Sequence, residues 1–230
     1  MATQAVEVTP QDSSLMVSYM TLRQMIGWIG FFMPIAVRLG GLVLEGIRTT
    51  DSISAYYYTG MRDCFVATLV LVGVLLTCYR SPAKQDTYVA IVAGLAAIGI
   101  GVFPMSPEWA PEITARYPSV LTGVCYQNGG ILGWHFRFVV IFFAASFYLV
   151  YFRFRAFTPA SPTRNKMRRN KIYRLCGLLM LGSFLAIGFL AWEHQGRSIF
   201  WPESVAVASF AAAWLVKGQR VLKDHARAVQ

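Results

Sequence analysis

Charge is what this sequence has least of. Only 14% of its 230 residues are Asp, Glu, Lys or Arg, where soluble domains carry roughly 25%. The chain has 11 acidic residues and 3 histidines. Its four cysteines, Cys64, Cys78, Cys125 and Cys176, show no CxxC or Cys/His spacing, which excludes a zinc-finger framework. Cys64 and Cys125 are both expected near the outer face, where they could pair, but nothing in the spacing demands a bridge and two free thiols is the favoured reading. The first twenty residues, MATQAVEVTPQDSSLMVSYM, lack a basic segment followed by an apolar run, so they do not read as a secretory signal peptide. The first membrane helix is expected to direct insertion itself. The net charge of +10 lacks the clustered basic patch of a nucleic-acid binder.

What the chain does have is apolar length: 56% of its residues are hydrophobic. Runs near the ~20 residues needed to span a bilayer occur at Gln24–Leu44, Cys64–Tyr79, Tyr88–Phe103, Ile131–Phe152, Leu175–Trp192 and Ile199–Val216. The predicted fold is all-α, a polytopic transmembrane bundle of six helices. Residues 1–22 form a polar N-terminal segment, 23–218 the six-helix domain and 219–230 a basic tail. The third run is rich in small residues (Gly94, Ala96, Ala97, Gly99, Gly101), which let helix backbones approach closely, so it is expected in the bundle centre. Pro104, Pro107, Pro111 and Pro118 mark a long non-helical loop after it.

Orientation follows from the distribution of Lys and Arg. Arg23, Arg80, Lys84, Arg153, Arg155, Arg164, Lys166, Arg168, Arg169, Lys171, Arg174, Lys217, Arg220, Lys223 and Arg227 fall on one side, fifteen in all. Arg38, Arg48, Arg62, Arg116, Arg137 and Arg197, six residues, fall on the other. The fifteen are expected in the cytoplasm with both termini. This pattern, with the missing signal peptide, suggests a bacterial inner membrane. Trp134, Trp192 and Trp201 are expected in the outer aromatic belt, Trp28 and Trp214 in the inner one.

On this topology the remaining polar groups converge at the outer end. Arg38, Ser52, Ser54, Tyr57, Arg62, Arg137, Glu193 and Glu203 are candidate ligand-binding residues. Asp63, His135 and His194 are candidate catalytic groups. An intramembrane ionisable residue costs about 2.5–3.5 kcal/mol on insertion scales, so Arg38 is expected to pair with Asp63 or Glu203. His135, His194 and Glu193 would suit a divalent metal such as zinc, although no HExxH-type spacing links them. The histidines would equally serve as general acid or base, and Ser52 or Ser54 as a nucleophile with a histidine base and an orienting carboxylate. In DSISAYYYTGMRD, successive tyrosines on a helix face different directions. The segment reads as an aromatic anchor, or else as a lid with Ser52 and Ser54 facing inward.

The string SISAYYYTGMRDCFV resembles a motif in a group of uncharacterised bacterial membrane proteins of six helices. Gly101-Val102-Phe103-Pro104, His135, Glu203 and the WLVKG ending at Trp214–Gly218 fit the same pattern, which covers most of the chain. More distantly, the layout is similar to the six-helix DRAM/Sfk-like proteins, a resemblance that implies lipid-linked or membrane-homeostasis roles and no particular reaction. The HxxxH pair of the alkaline ceramidase superfamily is missing. The function these observations suggest is an outward-facing polar cavity that binds, and can act on, a lipid or amphipathic small molecule. A small-solute transporter or channel and a non-catalytic assembly partner or sensor are the alternatives. Membrane lipids, not nucleic acid, are the expected partners.

Overall fold

The computed structural model describes residues 10–105, 133–156, 158, 161–193 and 198–219, with side chains from residue 18 onward and not for 191–193. Among these residues the chain is all-helical. The six helices are α1 (Pro10–Glu45), α2 (Arg62–Cys78), α3 (Lys84–Val102), α4 (Trp134–Tyr148), α5 (Arg164–Glu193) and α6 (Phe200–Lys217). A short 3-10 helix, Ser54–Tyr58, lies between α1 and α2, and α4 runs on through a π-helical turn, Leu149–Arg153, and a last turn, Phe154–Ala156.

The six apolar runs each became a helix, and the differences lie at the ends. α1 starts at Pro10, well before its apolar run, with proline at a helix start, where no intrahelical donor is lost. α5 starts at Arg164, eleven residues before Leu175. Thr163 caps it, its hydroxyl accepting the Lys166 N–H at 3.1 Å, which satisfies one of the free first-turn donors. Apolarity locates the lipid-solvated part of a helix, whereas capping decides where the helix itself stops.

The helices close into a ring in chain order. Each packs on the next, α4 reaching α5 largely through its π turn, and α6 returns to α1. Four helices are long and apolar enough to cross a membrane: α1, α3, α5 and α4 with its extension. At 17 residues, α2 sits at the ~17-residue lower limit for a span. α6 carries Glu203 and Lys217 in its end turns. The outside of the ring is a girdle of exposed apolar side chains, including Leu39, Leu71, Val92, Ile141, Leu185 and Phe189, with Val43 78% exposed. An apolar surface on every helix suits lipid and would be untenable in water.

The inside is filled by aromatic rings. Trp214 is fully buried and packs edge-on against Tyr79 and Phe154, with ring centroids 5.0 and 5.1 Å away. Phe210 joins Trp214 to Phe142. Trp214 is therefore a core residue and not part of an interfacial belt.

α3 is a wall helix, not a central one: Leu95 is exposed to the lipid side while Ala90, Ala93, Ala97 and Gly94 are buried. Its small face meets α2. A Cβ on Gly73 would stand 2.6 Å from the Gly94 carbonyl oxygen, and one on Gly94 would stand 2.5 Å from that of Gly73. The two backbones touch where both side chains are absent.

Gly73→Ala or Gly94→Ala should therefore destabilise the protein by about 1–3 kcal/mol, the usual cost of overpacking. Gly182→Ala and Gly188→Ala, with nothing within 4 Å of the added carbon, should be neutral or slightly stabilising, because alanine is the better helix former. Thermal unfolding of the four variants in one detergent checks the contrast.

Candidate functional site

At the end of the bundle where α1 meets α2, α1 stops at Gly46, whose positive φ of 70° is one that glycine adopts without steric cost. The chain then turns down into the mouth of the ring. Thr50, Ser52, Ser54, Tyr56, Tyr57, Tyr58 and Thr59 are all buried. The three tyrosines do not form an interfacial anchor. In a 3-10 turn they pack inward, Tyr56 against Phe200 and Tyr57 against Tyr58. The inward-facing alternative matches this burial, with the segment acting as a plug.

Buried backbone must have its donors and acceptors satisfied, and here side chains and neighbouring backbone supply the partners. Thr50 Oγ1 donates to the Ser52 carbonyl at 2.6 Å. Ser52 Oγ accepts the Ala55 N–H at 3.0 Å. The Ile53 N–H donates to the Glu203 carboxylate on α6. The Asp51 carbonyl accepts the Ile199 N–H at 2.6 Å. Glu45, at the end of α1, accepts the Gly60 N–H. Burial holds the Tyr56 phenol above its usual pKa, against the opposing effects of neighbouring Thr50 and the charge of Arg38.

The most chemically suggestive contact joins this plug to α3 and α4. His135 Nε2 lies 3.0 Å from Ser54 Oγ, and its Nδ1 lies 2.7 Å from the carbonyl oxygen of Phe103. A carbonyl only accepts, so Nδ1 carries a proton. In the neutral imidazole Nε2 is then the acceptor, and the Ser54 hydroxyl donates to it. This is a nucleophile–base pair in the reactive tautomer.

Local sequence builds the pair. Pro104 holds the preceding residue out of the helical region, and Phe103 is extended (φ −96°, ψ 108°). The Phe103 carbonyl is left free of the α3 ladder at the helix end. The Phe103 ring stacks on Phe138 at 5.4 Å and leans on Trp134 at 6.2 Å, so α4 grips the residue that orients His135. Gly99 makes room for Phe138, whose ring would lie 2.5 Å from an added Cβ. Tyr58 donates to the Met105 carbonyl at 2.6 Å and fixes the strand that leaves α3.

The other candidates are arranged differently. Arg38 is exposed and lies over the Trp201 ring at 5.3 Å. The expected partners are elsewhere, with Asp63 exposed and Glu203 engaged by Ile53. Arg62 Nε donates to the Tyr57 carbonyl at 2.7 Å, and the exposed Arg137 stacks on Trp134 at 4.9 Å. His194 and the Glu193 side chain lie outside the described residues, as does Cys125. Cys64, Cys78 and Cys176 are free thiols. Among the described residues no group of three His, Cys, Asp or Glu is poised for a metal, and both ring nitrogens of His135 are already engaged.

The sequence reading missed two acidic groups. Glu45 ends the first apolar run, and only its contact with Gly60 gives it a role. At the opposite end, Asp86 is buried and pairs with Arg153 of the π turn, the one ion pair among the described residues. Ser81 also donates to Asp86 at 3.1 Å. A π turn shifts the helix register by one residue and is frequent at functional positions; here Arg153 of that turn meets Asp86.

No protein-family model matches this chain, and no curated protein or solved structure is significantly similar to it.

Removing the Glu203 acceptor should loosen the plug. Glu203→Ala leaves the Ile53 N–H without its acceptor, a cost of about 1–3 kcal/mol, while Glu203→Gln keeps an acceptor oxygen. Amide hydrogen exchange over 53–59 should be about tenfold or more faster in the alanine variant than in the glutamine variant. Equal exchange in the two would show that the tether is not needed.

Proposed function

We propose that this protein is an integral membrane enzyme whose outer end binds a lipid or other ester-bearing amphiphile, with Ser54 as nucleophile and His135 as general base. The single observation that carries the reading is the Ser54–His135–Phe103 relay, with both imidazole nitrogens in the roles that acyl transfer requires.

The chemistry follows from the tautomer. As Ser54 Oγ attacks an ester carbonyl, its proton passes to Nε2, while the Nδ1 proton stays on the Phe103 carbonyl. The imidazolium then returns the Nε2 proton to the departing alkoxide, leaving an acyl ester on Ser54. Water, deprotonated by the same nitrogen, hydrolyses that ester and restores the hydroxyl. Such general base assistance contributes typically about 10²–10⁴-fold.

A lipid-like substrate fits the setting. His135 directly follows the exposed Trp134, and Glu203, which accepts from Ile53 beside Ser54, is two residues past the exposed Trp201; tryptophan is the residue type that marks the head-group layer. The lysine and arginine asymmetry supports a bacterial inner membrane with both termini cytoplasmic, which would put Ser54 and His135 at the outer leaflet. A transport or channel role would require polar groups at several depths, whereas the centre of this ring is occupied by Trp214, Phe210, Phe142 and Phe154.

A fluorophosphonate probe, which phosphonylates base-activated serines, tests the reading in phospholipid nanodiscs. Peptide mass spectrometry should find the adduct on Ser54. His135→Ala should slow labelling about 100-fold or more, Ser54→Ala should abolish it, and Ser183→Ala, on α5, should leave it. A folded wild-type protein that carries no adduct at Ser54 would overturn the proposal.

A further inference from the structure

A second built feature lies at the basic end, away from Ser54 and His135. Where the last turn after α4 meets the first turns of α5 there is a cleft of about 430 Å³, lined by Arg155, Thr158, Met167, Asn170, Lys171 and Arg174. Three of the six side chains are cationic and none is acidic. Met167, Lys171 and Arg174 follow i, i+4, i+7 spacing along α5, so they share one helix face.

The walls are fixed to one another. Thr158 donates its hydroxyl to the Arg155 carbonyl at 2.6 Å and accepts from Asn170 Nδ2 at 2.9 Å. Arg155 is set in place by its Nε, which donates to the Tyr151 carbonyl at 2.5 Å, and by the Tyr151 ring, 4.5 Å away. Its two terminal nitrogens have no protein acceptor among the described residues. Lys171 and Arg174 take part in no ion pair among the described residues. Three like charges gathered in one cleft repel one another, and an anion in the cleft would relieve that repulsion.

Depth decides which anion. α5 has 30 residues, about 45 Å at 1.5 Å per residue, so it overruns a hydrocarbon core of about 30 Å. Its apolar, lipid-exposed stretch begins with Leu175 and Leu178, directly after Arg174. The cleft is therefore at head-group level, with exposed leucines below it where acyl chains would lie and the half-exposed Met167 beside it.

We infer that this cleft is a binding site for the phosphate head group of an anionic phospholipid, whose acyl chains run along Leu175 and Leu178 of α5. The inference is independent of the Ser54 chemistry. Arg155 and Arg174 supply guanidinium donors to the phosphate oxygens, Lys171 adds a point charge, and the site binds lipid without a catalytic step.

Native mass spectrometry from mixed phosphatidylcholine–phosphatidylglycerol nanodiscs tests it. Wild-type protein should retain phosphatidylglycerol in preference to phosphatidylcholine. Arg155→Gln/Lys171→Gln/Arg174→Gln should reduce that preference about tenfold or more. Lys84→Gln/Arg164→Gln/Arg168→Gln, which removes three exposed charges outside the cleft, should keep it within about twofold. Arg174→Gln alone, on an exposed position, should give a partial loss and covers the case in which the triple variant does not fold. Equal loss in both triple variants would show diffuse attraction and overturn the inference, as would no preference in the wild type. Full displacement of phosphatidylglycerol by millimolar inorganic phosphate would assign the cleft to free phosphate and overturn the lipid assignment.

Discussion

A stretch of chain that is not α-helix is buried among apolar helix ends, and each of its backbone donors must find an acceptor there. Much else at that end of the bundle depends on meeting that constraint. In hydrocarbon an unsatisfied backbone group costs several kcal/mol, so irregular backbone survives only inside protein. The Glu203 carboxylate and the Ser52 hydroxyl accept the N–H groups of Ile53 and Ala55, and the segment's own Asp51 carbonyl accepts the Ile199 N–H at the start of α6. Their combined effect is to hold the 3-10 turn at one depth and one rotation. Ser54 faces His135 because Ile53, its neighbour, is pinned to α6.

The two ends of the bundle solve the polar problem in different ways. The Glu203 end uses hydrogen bonds to backbone: Glu203 and Glu45 accept N–H groups and Arg62 donates to a carbonyl, while Arg38 and Arg137 lie on aromatic rings at the surface. The basic end holds an ion pair between the buried Asp86 and the partly exposed Arg153. Around it Arg23 donates to the Lys217 carbonyl at 3.3 Å, and Lys217 lies 4.8 Å from the Phe154 ring. Removing Arg153 would leave the buried Asp86 carboxylate without its cation, which is costly. The pair ties the first turn of α3 to the π turn that extends α4.

The helices were legible because bilayer solvation imposes a simple rule of apolar length: all six runs became helices, four of them long and apolar enough to cross a membrane. The approach of α2 to α3 was half legible: the small residues of α3 were visible, but their partner Gly73 is a single glycine in a run of valine and leucine. Tyr56, Tyr57 and Tyr58 were misread because helical periodicity was applied to a segment that forms a 3-10 turn and faces inward as a unit. Trp214 was misread because tryptophan near a helix end signals an interface only when that face meets lipid. Nothing local distinguishes it from a core residue. Ser54 and His135 were both visible as candidates. Their pairing was not, because it joins residues 81 positions apart through a helix end.

The sequence reading looked for a carboxylate to orient the histidine, and the structure puts a backbone carbonyl there instead. The substitution has a physical logic. A carboxylate at this depth would need its own desolvation offset by a partner, and its charge would depend on its protonation. The Phe103 carbonyl needs neither. It lies just past the end of α3, where the aligned peptide dipoles leave a partial negative charge of roughly half an electron. That field fixes the proton on Nδ1 and, in the proposed chemistry, would favour the imidazolium formed as Ser54 gave up its proton. It is fainter than a full carboxylate, so the base is weaker than one backed by an ionised acid. Its advantage is that it does not titrate, and Pro104 sets its position by ending the helix at that point.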